Sequence, residues 1–424
     1  MVQTVEELTR SIRVKTFLGA GGFAWVFQGV YQATAVAVKL ALAPKNTDEA
    51  RYCREAVLAQ QLRHPHVVAT YLARGITLSK DMVDDIYGRP SDASAADGGA
   101  ASSSTATPRV PGALTMLPNF PSAKSDDGMG NPRVGQQPMS AAAQEAGGWP
   151  QALCNMGVLP DQILMVMVQE LCDGGNLAGA LKRGTFRPQG KTSLLAARRM
   201  LVRTAAEICR GMLHLHNANV IHGDLKPANV LLTRTRNDRR GFTAKVADFG
   251  LSKLLHDDTS HVLSDNVGTV AYSSPEAIQG KHSKTCDVWS FGILLWQLVA
   301  QDRPFSKLTP AQIMMGVGFN NLKPTWPPEV WPELCALGER CLASNPVDRP
   351  GFEELEEALV VLEEGLREES KRVSMEQRAA AAAAAAAGMA SGGAAGVVPA
   401  AAGTSVAAAA AAAHTARPGA AFAT

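Results

Sequence analysis

Apolar and polar positions alternate from residue 12 to about 43, and the alternation breaks twice. The stretch RVKTFLGAGGFAWVFQGVYQATAVAVKLA therefore predicts three β-strands, joined by a glycine turn and a short polar turn. The period then changes. TDEARYCREAVLAQQLRHP carries apolar residues at helical spacing, with Thr47 or Asp48 as N-cap and Pro65 beyond the end. After a long interval, QILMVMVQEL predicts a strongly apolar strand, and residues 161–366 are dense with helix. LVRTAAEICRGMLHLHNANVIH places Leu201, Ala205, Ile208, Met212 and Leu215 on one face. DVWSFGILLWQLVA is apolar nearly all round, so it belongs in a core.

Composition divides the chain where periodicity fails. From about 78 to 160 it is rich in Ala, Ser, Gly and Pro, as in SDASAADGGAASSSTATPRVPG. Most of this segment is expected to be disordered, because it has too little apolar mass to offset its ordering entropy. A linker between domains and a long loop within one are both open. The strand that resumes afterwards favours the loop, whose closure adds only roughly 0.6 kcal/mol per doubling of length. Beyond Arg378 come a polyalanine run and an Ala/Gly tail, read as fluctuating helix or disorder because almost nothing in it can be buried.

Charge and cysteine usage narrow the partners. The 424 residues carry a net charge of +2, which argues against nucleic acid or an anionic membrane as the main partner. The 7 Cys are scattered without a C-x-x-C pair, so a disulfide framework or zinc site is not expected and a reducing compartment is. The start MVQTVEELTR has no apolar core for a signal peptide, and FGILLWQLVA is too short to span a bilayer. A soluble, cytoplasmic or also nuclear protein is expected.

Four short segments carry chemistry. In LGAGGFAWV, Gly19 and Gly21 would let backbone N–H groups approach phosphate oxygens without a Cβ in the way, although an ordinary glycine hairpin has the same look. In VAVK, Lys39 is a point charge set among apolar strand residues, a place where a lysine usually snorkels to the surface. VIHGDLKPANVLL brings His222, Asp224, Lys226 and Asn229 together. VADFGLSK follows, with Asp248 nineteen residues after Asn229. Carboxylate and amide oxygens suit a hard cation.

In this order and at these spacings, the segments resemble the eukaryotic protein kinase family. The style of ELCDGGNL and DVWSFGILLWQLV is similar to that of the tyrosine-kinase-like group of serine/threonine kinases. The resemblance runs over residues 12–366 and implies a bilobal α+β fold. A small antiparallel sheet with one main helix would occupy 12–171, interrupted by the 78–160 insertion, and a mostly helical lobe 172–366, ahead of the 367–424 tail.

The resemblance also implies site roles. Lys39 would hold the α- and β-phosphates of ATP, and Glu55 would hold Lys39. Asp224 would accept the substrate hydroxyl's proton and Lys226 would steady the transferring phosphoryl group. Asn229 and Asp248 would hold Mg²⁺. Val26 and Ala37 above and Leu231 below would enclose adenine, against the backbone of Glu170 and Cys172, with Gln169 at the back. DLKPAN resembles the serine/threonine pattern, and Thr269 would lie near Asp224. Glu276 would pair with Arg349, and Asp287 would anchor the catalytic loop from the central helix.

Two positions depart from the family pattern. Ala24 stands where a third glycine is usual, which would alter loop mobility and ATP affinity. Gly223 stands where most kinases have an arginine that grips a phosphorylated residue of the activation segment. Switching, not catalysis, should be lost there, so activity should depend weakly on phosphorylation of Thr259, Ser260 or Ser264 unless another base, such as Lys253, takes over. Ala228 and Asn176 are uncharged where kinases preferring arginine carry carboxylates. The alternative to an active kinase is a pseudokinase, a nucleotide-binding or scaffold module. In either case the insertion or the tail would be the place for regulatory partners.

Overall fold

The computed structural model describes residues 4–20, 24–43, 59–88, 148–188, 194–248, 270–327 and 331–391, with side chains of the last helix to 384. The chain divides into two compact units, residues 1–370 and 371–424. The first unit holds a five-stranded antiparallel sheet and a helical lobe, the bilobal α+β architecture expected.

The sheet runs in the order β1-β2-β3-β5-β4, with β1 Ile12–Ala20, β2 Ala24–Tyr31, β3 Thr34–Ala43, β4 Thr70–Thr77 and β5 Ile163–Glu170. The three strands predicted near the start are these first three. Strand alternation separates two faces. Phe27, Val36, Val38, Leu40, Ile76, Leu164, Val166 and Val168 enter an outer core, while Ala41, Ala43, Ile163, Met165 and Met167 form a smaller cluster on the underside. Gly29 is required by packing, since a Cβ there would lie 2.6 Å from the Arg13 carbonyl oxygen. Of the helix predicted from Thr47, residues 44–58 lie outside the described residues.

The 78–160 insertion is narrower than composition suggests. Leu78 and Val158 are fully buried, and two helices lie inside those limits, α2 Lys80–Ile86 and α3 Gly148–Met156. Val83, Ala152, Leu153 and Met156 are buried in the outer core, joined by Leu8 of the N-terminal helix α1, Val5–Thr9. Each of these helices has a few apolar residues at helical spacing, enough to dock on a sheet even where the surrounding composition is polar. Residues 89–147 are outside the described residues.

The helical lobe contains α4 Leu177–Lys182, α5 Leu194–Asn217, α6 Pro275–Ile278, α7 Lys284–Ala300, α8 Pro310–Asn320, α9 Pro332–Cys341 and α10 Phe352–Ser391, with a hairpin of β6 Val230–Arg234 and β7 Phe242–Val246. The five residues predicted on one face of α5 are all buried, and twelve of the residues of α7 are buried, as expected of a core helix. Glu276 and Arg349 pair as predicted, with Arg349 Nη1 2.5 Å from Glu276 Oε1 and the arginine side chain fully buried. Past 370 the last helix continues through the alanine run to Ser391, with nearly every described side chain exposed. Among the described residues the six cysteines form no disulfide.

Candidate active site

Strand register builds the roof of the site. Val26, Lys39 and Met167 are direct partners across β2, β3 and β5, and Gln28, Ala37, Gln169 and Thr70 form the next row. Their neighbours Phe27, Val38 and Val168 face the outer core, so both rows face the underside, toward the helical lobe. Gln169 Nε2 donates to the buried Thr70 Oγ1 at 3.1 Å, which fixes that amide at the back of the row. Gly19 pairs with Val26, and a Cβ on it would meet no atom within 4 Å. Protein packing alone therefore gives no reason for glycine there. Leu18, just before it, is 50% exposed, an apolar side chain that no core uses. Gly21 is outside the described residues.

The floor comes from the link between the lobes and from β6. Glu170 donates its amide to the Ala69 carbonyl at 2.9 Å, and its carboxylate accepts from Lys245 of β7 at 3.0 Å. Gly174 and Gly175 then bond reciprocally with Leu232, at 2.8 Å each way. A Cβ on Gly174 would fall 2.7 Å from the Leu232 carbonyl oxygen, so only glycine fits that approach. The pairing continues in a bridge between Asn176 and partly buried Leu231. Burial pushes the Cys172 thiol above its ordinary range. Asn176 uses its carboxamide to cap α4, accepting from Gly179 N–H at 2.8 Å.

The polar centre is braced from beneath. Asp287, buried in α7, accepts from the His222 and Gly223 amides at 2.9 Å each and from His216 Nε2 at 2.9 Å. This is the anchoring role expected of it. His222 adds a second brace, with Nδ1 accepting from the Asp224 amide at 3.2 Å and Nε2 lying 3.0 Å from the Ala247 carbonyl. Those two bonds together specify the Nε2–H tautomer. Ala247 in turn donates to the Asn229 carbonyl at 2.9 Å. The segment bearing Asp224 and Asn229 is thereby stitched to the one bearing Asp248.

Within that frame, Asp224 Oδ2 accepts from Lys226 Nζ at 2.7 Å and from Asn229 Nδ2 at 2.9 Å. Asn229 Nδ2 also donates to the Asp224 carbonyl at 2.8 Å, so its amide nitrogen is fully used and Oδ1 is the oxygen left to a cation. Lys39, nearly buried, places Nζ 2.5 Å from Asp248 Oδ1. Asp248 is half exposed, and the Lys39 ammonium, reinforced by Lys226, holds its carboxyl below the ordinary range. Asp248 stands at φ +60, a left-handed conformation that aspartate tolerates better than most residues. Glu55, the partner expected for Lys39, and Thr269 are outside the described residues.

The structure thus brings together Lys39, Asp224, Lys226, Asn229 and Asp248 beneath Val26 and Ala37. Sequence reasoning missed the direct Lys39–Asp248 contact, the bracing by His222, and Met167 beside Lys39. Met167 was accessible in principle, because period-2 alternation from Gln169 places it on the same face. The Lys39–Asp248 contact had no sequence signal, since the two lie 209 positions apart.

Comparison with known proteins matches the part of the chain that holds the polar centre. The family model described as protein tyrosine and serine/threonine kinase matches residues 145–359, half of the chain. That match begins within the 78–160 insertion, so it spans Asp224, Lys226, Asn229 and Asp248 but not Gly19 or Lys39. The chain is 38% identical over 160 residues to the serine/threonine-protein kinase STY17 of Arabidopsis thaliana, covering 38% of this chain and 27% of that protein. It is 38% identical over 169 residues to the serine/threonine/tyrosine-protein kinase HT1 of Arabidopsis thaliana, 40% of this chain and 41% of that protein. It is 35% identical over 200 residues to a mitogen-activated protein kinase kinase kinase of Drosophila melanogaster, 45% of this chain and 16% of that protein. The chain spans well under two thirds of the length of each of these relatives. Fold, bracing and matched segments agree, and the chain belongs to the protein tyrosine and serine/threonine kinase family.

Proposed function

We propose that this chain is an ATP- and Mg²⁺-dependent protein kinase that phosphorylates serine and threonine hydroxyls. The observation that carries the reading is the Asp224 cluster. One carboxylate oxygen is held by both Lys226 and Asn229, and Lys39 reaches Asp248 alongside. Asp224 accepts the hydroxyl proton as that oxygen bonds to the γ-phosphorus and the bond to the ADP oxygen breaks. Lys226 neutralises charge on the transferring group, and Lys39 positions the phosphates. Phosphoryl transfer proceeds through a loose, charge-spread transition state, so fixed charges and positioning supply most of the rate. Asp248 and Asn229 Oδ1 form a hard-oxygen pair suited to Mg²⁺, which when bound neutralises phosphate charge. The choice of serine and threonine rests on DLKPAN and on the names of the relatives.

Two refinements belong to this reading. Gly223 carries no side chain to grip a phosphorylated residue, so activity depends weakly on phosphorylation of Thr259, Ser260 or Ser264. Ala228 is exposed and uncharged and Asn176 is committed to a helix cap, so the acceptor needs no arginine upstream of its hydroxyl.

The test is transfer from labelled ATP to a generic protein substrate with Mg²⁺, followed by identification of the phosphorylated residue. Asp224→Asn and Lys39→Met should each lower the rate on the order of a hundredfold or more. A folded wild type that binds ATP but transfers nothing would turn the chain into a nucleotide-binding scaffold. Phosphatase treatment or Glu replacement at the three activation-segment positions should change the rate less than about tenfold.

A further inference from the structure

The outer face of the sheet carries a second layer of structure that reaches both of its edges. Helix α1 leads directly into β1, yet it packs against β4 at the opposite edge. There Arg74 Nη1 donates to the carbonyls of Glu7 at 2.8 Å and Arg10 at 3.2 Å. Helix α3 leads into β5, yet it packs against β1, where the Trp149 indole N–H donates to the Ile12 carbonyl at 3.0 Å. Between them α2 joins α3 through the Cys154 thiol on the Ile86 carbonyl and the Tyr87 hydroxyl on the Val158 carbonyl. Two chain segments therefore cross the sheet in opposite senses and close over a common apolar core.

This arrangement bears on the site through β1. It is the edge strand of the sheet and carries Gly19 at its far end. Its pairing with β2 is regular from Ile12 to Val14, then shifts register between Val14 and Phe17 and again between Phe17 and Gly19. A strand regular at its root and irregular toward its tip is aimed by whatever holds the root. Ile12 and Val14 are buried in the outer core, and Trp149 fixes the Ile12 backbone from outside the sheet.

We infer that Trp149 is a positioning residue for nucleotide binding, acting through the Ile12 carbonyl to set the approach of β1 and Gly19 to the phosphates. The inference rests on the kinase reading above. It also gives the insertion a physical connection to the site, because its two described flanks, α2 and α3, are built into the layer that aims β1.

The experiment compares wild type, Trp149→Phe and Tyr87→Phe in the full chain. Trp149→Phe keeps an aromatic side chain and removes the N–H. Tyr87→Phe removes a hydrogen bond inside the layer that does not touch β1. We expect Trp149→Phe to weaken binding of a non-hydrolysable ATP analogue and raise the KM for ATP three- to tenfold, with kcat within twofold. It should also speed amide exchange over residues 12–20, while Tyr87→Phe leaves all three unchanged. Equal nucleotide binding by wild type and Trp149→Phe would overturn the inference while leaving the kinase reading intact. So would a Trp149→Phe loss confined to kcat, or the same KM change in Tyr87→Phe. A wild type that binds no nucleotide would overturn both.

Discussion

Replacing Gly223 with alanine tests the geometry of the catalytic loop by the sign of its effect on stability. Gly223 stands at φ +75, and its amide is held by Asp287 Oδ1 at 2.9 Å, so the loop cannot rotate to a right-handed φ without losing a bond to a buried carboxylate. A left-handed alanine costs about 1–2 kcal/mol relative to glycine. The smaller conformational freedom of the unfolded chain returns roughly 0.5 kcal/mol. Among the described residues nothing lies within 4 Å of the added Cβ, so neither a clash nor a new contact with them enters the sum. The net is a loss of about 1 kcal/mol, or about 2 °C in Tm for a domain of this size. At a position with ordinary φ the same change would stabilise by about 0.4–1 kcal/mol. Gly223→Arg should lose the same amount, because its longer side chain starts into the same open space. Since neither variant touches Asp224 or Lys226, kcat should stay within a few-fold. Urea unfolding of the three proteins, with phosphoryl transfer in parallel, decides the matter. An alanine variant as stable as wild type, or more so, would refute the left-handed loop. An arginine variant with strongly phosphorylation-dependent activity would show that the missing charge was the whole of the difference from a switchable loop.

Glu276→Gln leaves the fully buried Arg349 side chain without its counter-charge and should cost about 3–5 kcal/mol, visible as an early thermal transition. Adding Arg349→Met should recover a large part of that loss; a double variant as unstable as the single one would show that packing, not charge, holds the contact. A third prediction concerns pH. The His64 ring stacks on His214 at 5.0 Å, and burial, aided by the neighbouring His66 and His214, pushes its pKa from 6.5 to about 4. Lys245 and Arg210 add positive charge at this cluster, while Glu356 and Glu207 pull the other way. A depressed histidine pKa means that the unfolded chain takes up the proton first. The stability it supports is therefore complete above pH 6.5 and drains away as pH falls toward 4. His64→Gln should flatten the decline of Tm between pH 7 and 5, and a variant whose Tm tracks wild type through that range would contradict the assignment.

What the sequence made legible, and what it did not, follows from the distance over which each signal acts. Alternation and helical periodicity are local, and they located β1, β2, β3, β5, the buried face of α5 and the core helix α7. The Asp224 segment was legible because its chemistry sits in ten consecutive residues, and even the long-range pairing of Glu276 with Arg349 could be inferred from family spacing. The Lys39–Asp248 contact and the Ile12–Trp149 hydrogen bond each join residues more than a hundred positions apart, and no local pattern encodes them. The insertion failed for a different reason. Trp149, Ala152, Leu153 and Met156 fall at i, i+3, i+4 and i+7, a helical stripe present in the sequence all along. Averaged over eighty neighbours rich in Ala, Ser, Gly and Pro, that stripe disappears, because composition weighs every residue alike. Folding does not: Leu153, fully buried, has a partner surface already built by the strands. A nine-residue helix that would be marginal in water is stable when its apolar stripe completes an existing core. The sheet supplies that core on its outer face while its underside carries Lys39, so helices from a segment read as mostly disordered pack on the opposite face of the strands that hold the chemistry.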